Sequence, residues 1–73
     1  MTTDEIHDVL EAMKANVIAA GYPSGDVWLR MGPGFNYLNI WTDHNNTISH
    51  SDIGAMLDDG WAYINGLDVE EAA

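Results

Sequence analysis

The chain has 73 residues and no cysteine, and its 12 Asp+Glu against 2 Lys+Arg give a formal net charge of −10. That length makes one domain with a thin core, a hydrophobic share of 47% with 19% charged residues excludes disorder, and the lack of cysteine excludes a disulfide framework or a thiolate metal site. Lys14 and Arg30 are too few to displace counterions from phosphates. DNA, RNA and anionic membranes are therefore disfavoured as direct partners, and a basic protein surface is expected instead.

In chain order, the first predicted element is a helix over about residues 3–20. Thr2 and Glu5 have the spacing of a capping box, with Thr3 as the alternative cap. Ile6, Leu10, Met13, Val17 and Ala20 repeat at helical spacing, and Asp4, Asp8, Glu11 and Ala15 fall on the opposite side. Gly21 and Pro23 end the helix. Ile18 lies off the apolar stripe and is expected as an exposed apolar point within the acidic side.

After the Tyr22-Pro23-Ser24-Gly25 turn the hydrophobic period changes to 2. Val27, Leu29 and Met31, expected to face the helices, alternate with Trp28 and Arg30. Gly32-Pro33-Gly34 breaks the run, and Phe35 to Thr42 follows as a second strand, so the two form a hairpin. Leu38 and Ile40 share one face; Phe35, Tyr37, Asn39 and Trp41 share the other. Asp43-His44-Asn45-Asn46 is a turn cluster, and Thr47-Ile48-Ser49 is expected to pair as a short third strand.

A second helix is predicted from Ser49 or Ser51 to about Asn65, with Ser49 and Asp52 at capping-box spacing, Ile48 and Ile53 as a staple, and Gly66 as the stop. Ile53, Met56, Leu57, Gly60, Ile64 and Leu67 form its apolar stripe, flanked by Trp61 and Tyr63, while Ala55, Asp58, Asp59 and Ala62 face away. A glycine at position 60, where it costs about 1 kcal/mol relative to alanine, predicts close approach to the first helix or to the sheet. The acidic segment 68–73 is expected to fray.

These elements predict an α+β domain over residues 1–73, ordered α-β-β-(β)-α, with two helices on one face of a small antiparallel sheet. Nothing in such a two-layer design covers the face that carries Trp28, Phe35, Tyr37 and Trp41, and an exposed aromatic patch with one arginine has the composition of an interface. The carboxylates of Asp4, Asp8 and Glu11, and of Asp52, Asp58 and Asp59, form a second candidate surface, complementary to Lys and Arg. Both surfaces point to protein binding, with a homodimer through the aromatic face as the alternative use. His7, His44 and His50 lack the convergent spacing of metal ligands, so no metal or other cofactor is expected. No cysteine nucleophile exists, the serines have turn or cap roles, and so short a chain leaves little room for a walled pocket, so no enzymatic activity is expected. No apolar run approaches the roughly 18 residues that span a bilayer, and the acidic start is unlike a secretory leader, which implies the cytoplasm.

The element order resembles that of the double-stranded-RNA-binding domain, but the second helix carries Asp52, Asp58 and Asp59 where such domains are basic, so an RNA-binding role does not follow. In size, acidity and lack of a catalytic motif the chain resembles the small inhibitors encoded by phages and mobile elements, among them anti-CRISPR proteins that act as DNA mimics. That resemblance implies an inhibitor that occupies a basic, nucleic-acid-binding surface, with a Cas effector complex as partner and the host cell cytoplasm as its place of action.

Overall fold

The computed structural model describes residues 2–72, with side chains through Leu67. Helix α1 spans Thr3–Ala19, strands β1, β2 and β3 span Asp26–Gly32, Phe35–Trp41 and Asn45–His50, and helix α2 spans Ile53–Ala72. The α+β class is as predicted: the strands form one antiparallel sheet in the order β1-β2-β3, with α1 against β1 and α2 against β2 and β3.

Helix α1 starts where its capping box places it. The Thr2 hydroxyl accepts the Glu5 N–H at 3.2 Å and the Glu5 carboxylate accepts the Thr2 N–H at 3.1 Å, which satisfies two N–H groups that the first turn leaves without helical partners. It ends at Gly21, whose φ of 112° closes the helix in a conformation that costs a residue without Cβ nothing. A two-residue turn, Pro33-Gly34, joins β1 to β2 between the paired Gly32 and Phe35. Proline presets its first φ, and Gly34 takes φ 82°, the order a type II turn requires.

The core combines Met13 and Val17 of α1, Val27, Leu38 and Ile40 of the sheet, and Met56, Leu57 and Ile64 of α2. Gly60 sits at the centre of this layer. A Cβ there would collide with the Leu38 side chain and stand 3.3 Å from Met13 Cε, so the missing methyl lets α2 close on β2 and α1 together.

Several expectations are corrected. Met31 was placed among the helix-facing residues, but it is 61% exposed, because it pairs with Asn36 at the hairpin end, away from the buried core. The third strand is six residues long and pairs with β2 over its whole length, which takes Asn45 and Asn46 out of the turn and Ser49 out of any helix start. The cap of α2 is Asp52: its carboxylate accepts the Ala55 N–H at 2.9 Å, and its own N–H donates to His50 Nδ1 at 3.1 Å. With Asp52 as cap, Ile48 and Ile53 no longer hold staple positions, and both pack on the core instead. Gly66 does not stop α2, which runs on to Ala72, since glycine ends a helix when its φ turns positive and here it does not. The predicted fraying over 68–73 lies beyond the described side chains.

Candidate functional site: an open sheet face and an acidic helix layer

The register sets out the open face in rows across the strands. Asp26, Trp41 and Asn45 form one row, Trp28, Asn39 and Thr47 the next, Arg30, Tyr37 and Ser49 the third, and Gly32 with Phe35 the last. The predicted aromatic patch is present. Trp28 is 41% exposed, Phe35 51%, and Tyr37 and Trp41 37% each, and no element of the described chain lies over them.

One residue of this face behaves unlike the rest. Asn39 is only 8% exposed, although it points away from the helices. Its Oδ1 accepts from the Thr47 hydroxyl at 3.1 Å and from Asn45 Nδ2 at 3.5 Å, so a polar group sunk among rings has its acceptor satisfied from β3. The sequence reading missed this network because a three-residue β3 would not bring Asn45 opposite the end of β2. Asn46 ties the same strands on the other phase, donating to the Ile40 carbonyl at 3.2 Å.

Beside Asn39 the face hollows into an open concavity of about 730 Å³, lined by Trp28, Arg30, Tyr37, Asn39 and Thr47 and closed at the hairpin end by Pro33. This is more room than the chain length led us to expect, but it is a groove on a sheet and not an enclosed chamber. Arg30 has no carboxylate within 4 Å among the described residues.

The other surface is the outer side of the helices. Asp4, Asp8 and Glu11 on α1 and Asp58 and Asp59 on α2 are all exposed. Asp52 is exposed as well, but its carboxylate is engaged as the α2 cap. Among the described residues the one Lys or Arg paired with a carboxylate is Lys14, 3.8 Å from Asp26, so no Lys or Arg neutralises these helix-layer acids, and Glu11 has the His7 ring 3.9 Å away. Ile18 is 41% exposed beside them, as expected from its place off the stripe.

Two carboxyls are held below their ordinary values, and both are local acceptors at the surface. For Glu5 the cause is first the Thr2 backbone N–H and then the Thr2 side chain. For Asp43 it is first the hydrogen bond with the His44 ring, 2.6 Å away, then its own backbone N–H and the Thr42 hydroxyl. His7 lies 3.9 Å from Glu11 and His50 serves the α2 cap, so each histidine has a local role. Among the described residues no three His, Cys, Asp or Glu side chains gather as a metal site, and no helix is long and apolar enough to cross a membrane. Comparison of the chain with protein-family models, with curated proteins and with solved structures gave no match.

Proposed function

We propose that this protein is an acidic binding protein, without catalytic activity of its own, that docks its helix layer on a basic, nucleic-acid-binding surface of another protein and blocks it. What supports the reading is that Asp4, Asp8, Glu11, Asp58 and Asp59 stand exposed, with no Lys or Arg paired to them, on two helices packed on a common core. Such a layer presents fixed negative charge to lysines and arginines that otherwise hold phosphates, and it needs little reorganisation to do so. It acts in the cytoplasm, where nucleic-acid-binding proteins are its targets. The likeness in size and charge to anti-CRISPR inhibitors makes a Cas effector complex the first partner to try.

The test is capture from lysate at low salt, followed by titration of the captured partner. The affinity should fall steeply as salt rises. Reversal of Asp4, Asp8 and Glu11 together, or of Asp58 and Asp59 together, should remove most of the binding. Asp52 should be changed to Asn, which keeps the helix cap while removing the charge. An affinity indifferent to salt and to both sets of reversals would rule the reading out.

A further inference from the structure

We propose that the open sheet face is the contact surface for a second copy of this chain, joined by a two-fold axis that lies in the face and crosses the strands along the Trp28–Asn39–Thr47 row. Three observations carry it, and none requires the acidic helix layer to bind a partner.

The first is charge. On the face itself Asp26 and Arg30 offset each other, whereas the rest of the molecule carries the excess of a −10 chain. Two copies meeting through this face bring together their least repulsive surfaces and put their acidic helices on opposite outer sides.

The second is self-complementarity. A two-fold axis requires that if one residue meets another, the reverse contact exists as well. Asp26 and Arg30 lie on one strand, two residues to either side of Trp28. Rotation about the central row therefore sets Arg30 of each copy over Asp26 of the other, and Tyr37 of each over Trp41 of the other. The alternative axis, along β2, sets Asp26 over Asn45 and Arg30 over Ser49 and pairs no opposite charges. Asp26 is able to take the contact: Lys14 and the Val27 N–H both approach its Oδ1, and its Oδ2 has no partner among the described residues.

The third is shape. The concavity is lined mainly by Arg30, Tyr37 and the central row and reaches Asn45, while Trp41, on the Asp26 row, is not part of its wall. The same rotation carries Trp41 of one copy over the concavity of the other, so ring and hollow interlock twice.

The face is small. Seven residues at about 3.3 Å each, across three strands about 4.8 Å apart, span roughly 23 by 14 Å. Roughly 320 Å² from each copy is below the roughly 600 Å² per partner at which stable interfaces begin, so the dimer should be weak and populate toward millimolar concentration.

Sedimentation equilibrium from micromolar to millimolar protein tests this. The mass should rise from 8.0 kDa toward twice that value. Asp26→Arg and Arg30→Asp should each weaken association about tenfold or more, as removal of a close interfacial charge pair does. The two together should restore it, because the swapped pair meets again across the axis. Trp41→Ala should weaken it at least as much, with circular dichroism confirming the fold. Reversal of Asp4, Asp8 and Glu11 should leave the mass unchanged, which keeps this test separate from that of the helix layer. A mass fixed at 8.0 kDa throughout overturns the proposal. So does a dimer that ignores Trp41→Ala and the charge changes. So does a monomer whose tryptophan emission responds to an added protein or small ligand, since the face then belongs to a foreign occupant.

Discussion

Along β2, Leu38 and Ile40 are fully buried, whereas Phe35, Tyr37 and Trp41, one step out of phase on the same strand, keep a third to a half of their surface in water. The buried side chains are aliphatic and the exposed ones are aromatic. Hydrophobicity alone would bury both sets, and with two helices for three strands there is covering material for one side. The covered side supplies most of the stability, and the open side keeps large rings that folding buries only in part. Asn39 qualifies the comparison: it is buried on the open side, and it is held there by hydrogen bonds instead of by a covering layer.

Paired truncations give the largest contrast. Leu38→Ala should cost about 4 kcal/mol, in the range of buried leucines, against a total of roughly 4–10 kcal/mol for a domain of this size. Phe35→Ala should cost less than about 1 kcal/mol, because it removes a half-exposed ring. Equal losses in denaturant midpoint for the two variants would break the distinction between the sides. Next comes Gly60→Val, expected to cost roughly 3 kcal/mol through overpacking against Leu38 and Met13. A variant as stable as the parent would mean that α2 does not approach β2 so closely.

Asn39→Ala should cost roughly 1.5 kcal/mol, since Thr47 and Asn45 lose their shared acceptor on a face with no other support. An unchanged midpoint would make the network incidental to the fold. The smallest effect belongs to the acidic side. Glu5 has its folded pKa lowered by the Thr2 N–H. Its stabilising contribution is therefore present above the unfolded value and is lost as pH falls through the folded value. Amide exchange in the first turn of α1 should quicken in that acid window. It should respond much less to acid in Glu5→Gln, which keeps the capping geometry without a titrating group.

Much of this was legible from local chemistry. Thr2 with Glu5, Gly21, and Pro33 with Gly34 mark their element ends because capping and positive φ are properties of a few consecutive residues. Gly60 was legible for a different reason: a costly residue on an apolar stripe has to be explained by contact. The misreadings share a cause. Ser49 and Ser51 are as good caps as Asp52, and the choice fell to Asp52 because pairing with β2 holds β3 extended through His50. Met31 alternates correctly and is still exposed, because alternation says which way a side chain points and not whether anything lies beyond it.

From its own order of residues the chain determined the class, the five elements, the core stripe of each helix and the excess of negative charge, since these depend on period, capping and composition. Tertiary structure alone decided how far β3 extends, that Asn39 is buried, and that Arg30 lines a hollow. Those outcomes depend on which strands pair in which register, and register is settled by contacts between residues far apart in the chain.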